Sequence, residues 1–169
     1  VPFKFPIVVI DFEATALTSQ SYPVEVGVAI IAEPGAQIET WSTLIKPDPN
    51  WDIEAQWDPD AERVHGISRW ALREGKESRA AMAGLNACIP ADATAWCDGG
   101  HYDVHWLEIL AGAAGVVPTF KLHDLGAALR QDDAVYERYL VLSSKRARPH
   151  RAGPDAAEIC AALAAAIRP

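Results

Sequence analysis

The chain has 169 residues, half of them apolar, and a formal net charge of −8 at pH 7, which predicts one buried core and a single domain over residues 1–169. That charge argues against a protein that wraps nucleic acid by bulk electrostatics, but it leaves room for an enzyme whose bound metals supply local positive charge. Cys88, Cys97 and Cys160 have no metal-ligand spacing, and the sequence, which starts at Val1, carries neither a long apolar span nor a basic-then-apolar leader; the expectation is a cytoplasmic chain with reduced thiols and no membrane anchor.

Ile7-Val8-Val9-Ile10 is a run of four β-branched residues with no polar face, as a central strand buried on both sides requires. It breaks into Asp11-Phe12-Glu13. Side chains alternate along a strand, so Asp11 and Glu13 share one face at its C-terminal end and Phe12 points back into packing. Val24 to Ala32 reads as a second strand after the Ser19 to Pro23 turn, and Ile38 to Ile45 as a third after Glu33-Pro34-Gly35-Ala36, giving an antiparallel meander. Lys46 to Asp60, with three prolines, Trp51 and Trp57, is a long surface loop of the kind that carries function. Short helices are expected over Asp60 to His65, Ser68 to Glu74 with Ser68 as N-cap, and Ser78 to Cys88. Thr94 to Cys97 is a fourth strand ending at Asp98-Gly99-Gly100. A helix from Tyr102 to Ala114, a strand near Thr119 to Leu122, helices from His123 to Arg130 and Ala134 to Leu142, and a last helix from Pro154 to Ile167 complete a mixed α/β sheet flanked by helices.

Two acids on one face of a strand repel unless a cation neutralises them, and a hard cation such as Mg²⁺ takes oxygen ligands of this kind. A strand that simply runs out into a polar loop is the equally open alternative. Asp103 lies in the first turn of the helix after the fourth strand, where an acid also gains from the helix dipole. If the first and fourth strands are neighbours, that turn lies beside Asp11 and Glu13. Asp98, just before Gly99-Gly100, could serve in place of Asp103, but is read as shaping the glycine turn. Near the C-terminus, Gly153-Pro154 places a helix start at Pro154 with Asp155 in its first turn and His150 in the loop before it. An imidazole titrating near neutrality suits proton transfer, although a surface histidine in a basic loop needs no such role. Lys145, Arg146, Arg148 and Arg151 surround it, a place for a phosphodiester to approach or merely a solvated face.

In this order, Asp11-x-Glu13, Asp103 within Tyr-Asp-x-x-Trp-Leu, and His150-x-Ala-x-x-Asp155-Ala resemble the three exonuclease motifs of the DEDDh family, which includes ribonuclease T, oligoribonuclease and the proofreading epsilon subunit of bacterial DNA polymerase III. The resemblance runs from Val8 to Ala156, and the conjunction is far more specific than any one motif. Thr15 and Leu17, Val24-Glu25-Val26-Gly27 and Val64-His65-Gly66-Ile67 match as well. Two departures stand out: Cys97-Asp98-Gly99-Gly100 replaces the His-Asn that many members carry before the third acid, and Gly153-Pro154 is unusual inside the last motif.

The resemblance implies a ribonuclease H-like fold, a five-stranded mixed sheet built from the three-stranded meander plus parallel strands. It implies a 3′-to-5′ exonuclease acting on single-stranded DNA or RNA ends with two divalent cations, Mg²⁺ or Mn²⁺. Asp11 would bridge the two ions, Glu13 and Asp155 would hold the one carrying the attacking water, Asp103 would support the other, and His150 would accept the water's proton. Thr15, Leu17, His65 and Arg151 would contact substrate. Tyr102 and Trp106 would stack on bases, with packing in the helix core as the alternative for both. Two rivals remain open: another metal-dependent phosphoesterase on this fold, told apart by internal rather than terminal products, and a non-catalytic nucleic-acid-binding or polymerase accessory module, told apart by binding without product.

Overall fold

A computed structural model describes residues 3–145 and 149–168. Its five strands are β1 (Ile7–Ala14), β2 (Pro23–Ile31), β3 (Glu39–Leu44), β4 (Thr94–Cys97) and β5 (Lys121–Asp124), in the spatial order β3-β2-β1-β4-β5. The first three are antiparallel neighbours, while β4 runs parallel to both β1 and β5. The apolar run of β1 therefore lies at mid-sheet, and Ile7 to Ile10 are fully buried.

The two faces of β1 feed two cores. Ile7 and Val9 pack under α6 (Ala152–Ala166) and α5 (Asp133–Ser143), with α4 (Leu125–Leu129) at the edge of this layer. Val8, Ile10 and Phe12 pack under α2 (Ser78–Cys88) and α3 (His101–Ala114). A third, small cluster joins Val24, Ile67 and Leu72 beneath the long loop and α1 (Pro59–His65). No helix among the described residues is long and apolar enough to cross a membrane. The thiols of Cys88, Cys97 and Cys160 are free.

Four elements depart from the sequence expectation, and at three of them a side chain takes the backbone groups at the element's start. Ser68 to Glu74 contains a single 3₁₀ turn over Ala71–Glu74, although the Ser68 hydroxyl does accept from the Ala71 N–H at 3.2 Å. The fifth strand starts at Lys121, because the Asn86 side chain on α2 ties down Thr119 through its N–H at 3.0 Å. α4 starts at Leu125, where the Asp124 carboxylate accepts from the Ala127 N–H. α6 starts at Ala152, two residues before Pro154, for a reason that belongs to the site.

Candidate active site

At the C-terminal end of β1 the sheet alternation puts Asp11 and Glu13 on the α6 side, where β2 places Gly27 opposite Asp11 and Glu25 opposite Glu13. Glu25 is a buried carboxylate in an otherwise apolar strand, 3% exposed. It accepts hydrogen bonds from Arg151 Nε at 3.0 Å and Nη2 at 2.6 Å, and from the Ala152 N–H at 3.0 Å. β2 thus caps α6 from outside the helix, satisfying one of the N–H groups a helix start leaves unpaired. This tertiary cap moves the helix start to Ala152.

Gly27 is what lets the two elements meet. A Cβ there would fall 2.3 Å from the Ala152 carbonyl carbon and the Gly153 nitrogen, so only glycine admits the start of α6 onto β2. Asp155, in the first turn, is thereby brought to Asp11 and Glu13, with carboxylate oxygens of all three within 4.8 Å of one another.

A second triad shares Asp11. Oxygens of Asp11, Asp98 and Asp103 also lie within 4.8 Å of one another. Asp103 is 1% exposed and accepts from the Gly99 N–H at 3.0 Å. A Cβ on Gly99 would sit 2.7 Å from that same carboxylate. The departure Asp98-Gly99 is therefore coherent: glycine makes room for Asp103, and Asp98 adds an acid. The turn-shaping role expected for Asp98 from sequence understates it, since the side chain belongs to the cluster.

The electrostatics reflect this crowding. Burial, then the charges of Asp103, Glu13, Asp98 and Asp155, hold Asp11 well above the usual carboxylate range. Burial, followed by Asp155 and Glu25, pushes Glu13 up to about 8, with Arg151 opposing the shift in part. Burial is again the main cause raising Asp103 to about 7, against the Gly99 hydrogen bond. All the donors are hard oxygens, and positive charge is what they lack. Divalent cations fit this donor set, and either triad could hold one.

Asp11, Glu13 and Asp103 line a cleft of about 410 Å³ whose walls include Ala16, Leu17, Asp58, Val64, His65, Tyr102, Trp106 and His150. His150 is exposed, with a left-handed backbone (φ 52°) that is uncommon for a side-chain-bearing residue. Leu17 and Val64 expose apolar side chains, at 71% and 54%. The Tyr102 hydroxyl donates to the Leu17 carbonyl at 3.2 Å, and its ring stacks on Trp106. Trp106 is only 4% exposed and donates from Nε1 to the Ser21 hydroxyl at 2.8 Å, so packing dominates its surroundings. His65 is buried as well; burial lowers its pKa, and its Nδ1 accepts from the Ile67 N–H at 2.9 Å.

Two of the residues expected to touch substrate are not on the cleft wall. Thr15 is 1% exposed, and its hydroxyl accepts from the Tyr22 N–H at 3.0 Å. The Arg151 guanidinium is held by Glu25. Arg146 and Arg148 of the basic cluster lie outside the described residues. Asp98, weighed in the sequence only as a substitute for Asp103, joins it in the cluster, and Glu25, noted there only within Val24-Glu25-Val26-Gly27, holds the start of α6. A lone acid inside the apolar Pro23–Ile31 strand was the available sign for Glu25.

Comparison with solved structures decides the architecture. E. coli Exonuclease I in complex with a dA16 oligonucleotide superposes on 94% of this chain with a TM-score of 0.72 at 13% identity. The fold is that of the ribonuclease H-like exonucleases. A 3′-exonuclease solved for 3′-end-specific recognition of a histone mRNA stem-loop superposes on 96% of the chain (TM-score 0.72, 14% identity), and cell-death related nuclease 4 (CRN-4) on 95% (TM-score 0.58, 13% identity). The chain spans 40% of Exonuclease I and 63% of each of the other two. No protein-family model and no curated protein sequence matches it.

Proposed function

We propose that this chain is a single metal-dependent exonuclease domain of the DEDDh kind, removing nucleoside 5′-monophosphates from the 3′ end of single-stranded DNA or RNA. The observation that carries the reading is the double use of Asp11, common to two carboxylate triads whose Asp11, Glu13 and Asp103 line one cleft. Asp11, Glu13 and Asp155 would hold one cation, and Asp11 and Asp103, joined by Asp98, would hold the other. Bound there, Mg²⁺ or Mn²⁺ would supply positive charge for both the attacking and the leaving oxygen of an in-line displacement.

The protein's own groups do the rest. His150, exposed on the cleft wall, accepts the proton of the attacking water once a strand is bound. Leu17 and Val64 offer apolar surface to the terminal bases, and Tyr102 fixes the Leu17 segment through its hydroxyl. Trp106 and His65 shape the cleft floor by packing. Thr15 and Arg151 act as positioning residues, the first on the turn after β1 and the second on the start of α6. Free thiols on all three cysteines favour a reducing compartment such as the cytoplasm.

The test is an assay of 5′-labelled single-stranded DNA and RNA oligomers with Mg²⁺ or Mn²⁺. A ladder shortening from the 3′ end with mononucleotide release is expected. Internal fragments, or binding without product, overturn the reading in favour of one of its rivals.

A further inference from the structure

Outside the cleft, the surface around Trp70 combines features that the catalytic reading does not use. Trp70 is 70% exposed, the largest aromatic among the exposed apolar side chains. The Arg73 guanidinium lies 4.3 Å from its ring centroid. Together with Lys46, Pro47, Ile53 and Arg69 they border a groove of about 410 Å³. Lys46 is paired with Glu77 and Arg69 with Glu54. Arg73 and the exposed Lys76 take no carboxylate partner among the described residues, leaving Glu74 as the nearby acid in sequence.

One ring stands between a wall residue of the cleft and a wall residue of the groove. His65, on the cleft wall, meets the Trp57 ring edge-on at 6.4 Å, and Arg69, on the groove wall, lies over that same ring at 5.6 Å from its centroid. α1 and the turn that follows it thus carry both surfaces. A strand whose 3′ end reaches the carboxylates must run its next phosphates over some part of a protein of net charge −8. Arg151 is committed to Glu25 and does not offer that contact.

We propose that the Trp70 and Arg73 shelf binds single-stranded nucleic acid 5′ of the end held in the cleft, one base stacking on Trp70 and a phosphate pairing with Arg73. The inference rests on the exonuclease reading for the direction of the strand. Stacking on an aromatic face tolerates any base, and a cation beside it takes the backbone, which is the combination used by sequence-tolerant single-strand sites. Acidic peptide is the other chemistry that cations attract, but it gives Trp70 nothing to stack on.

The shelf is tested by fluorescence anisotropy on the full chain in EDTA, where cleavage cannot intervene. The probe is a 5′-labelled oligothymidylate of about twelve nucleotides. Trp70→Ala should weaken binding on the order of 5- to 100-fold, the span of one lost base stack, and Trp70→Phe should restore most of it. Arg73→Gln should lower the slope of log affinity against log salt by ~0.7, one phosphate's worth for a single strand. Unchanged affinity in Trp70→Ala overturns the proposal, and so does a polyglutamate peptide that displaces the oligomer at equal concentration. Hydrolysis by the parent protein in Mn²⁺ is scored separately. Hydrolysis with unchanged Trp70→Ala binding leaves the exonuclease reading standing without the shelf; weakened binding without any hydrolysis leaves the shelf standing without the exonuclease.

Discussion

At pH 7 the metal-free Glu13, with a pKa near 8, keeps its proton most of the time, and Asp103, near 7, keeps it about half of the time. Cation binding must displace those protons, so affinity for Mn²⁺ should rise with pH through this range and level off above about pH 8. Calorimetry in buffers of different ionisation enthalpy should register proton release at pH 7, and heats independent of buffer would contradict the assignment. His150 is the residue whose part is defined by position alone. His150→Ala should lower kcat by roughly 10²- to 10⁴-fold with little change in KM, as loss of a general base does. Near-normal turnover at saturating substrate would leave it a surface residue. Asp11, Glu13, Asp103 and Asp155 were legible in sequence because strand alternation and helix starts dictate where their side chains go. Asp98 was legible only as an alternative to Asp103, since a glycine turn gives no periodicity from which to read a direction, and Thr15 turned inward because a backbone N–H seven residues on needed its hydroxyl.

The elements show how far local pattern reaches. β1, β2, α2, β4 and α3 lie within a residue of their expected bounds, because their apolar periodicity and their end signals agree. α6 and β5 were misplaced at their starts, by Glu25 and Asn86, partners distant in sequence that no window contains. Glu25 gives the element-scale prediction. Glu25→Ala leaves the Ala152 N–H and Arg151 without their acceptor and should destabilise the fold by about 2–4 kcal/mol, less than the loss of a wholly buried pair because Arg151 is partly solvated. Glu25→Gln should cost less, since its amide oxygen can still accept from Ala152. Urea unfolding measures both, and equal, negligible effects would mean that α6 does not depend on this cap.

Over the whole molecule, packing and the site pull against each other. Apolar layers on both faces of β1 force together five acids that would separate in an unfolded chain, and the raised pKa values of Asp11, Glu13 and Asp103 record that cost. For Glu13 the folded value, about 8, lies above the ordinary 4.5, so the folded state binds the extra proton between them and metal-free stability should fall as pH rises through that window. Melting temperatures in EDTA should decline from pH 5 to pH 8, and Glu13→Gln should flatten the decline. A metal-free melting temperature that climbs over this range would contradict the sign. The most direct test of the account is a count of Mn²⁺ ions by electron paramagnetic resonance at pH 8, on the parent chain and on Asp11→Asn. Two ions per chain are expected in the parent, with both sites severely weakened in Asp11→Asn because that carboxylate belongs to each triad. Two undiminished sites in Asp11→Asn, or no bound Mn²⁺ in the parent, would contradict it.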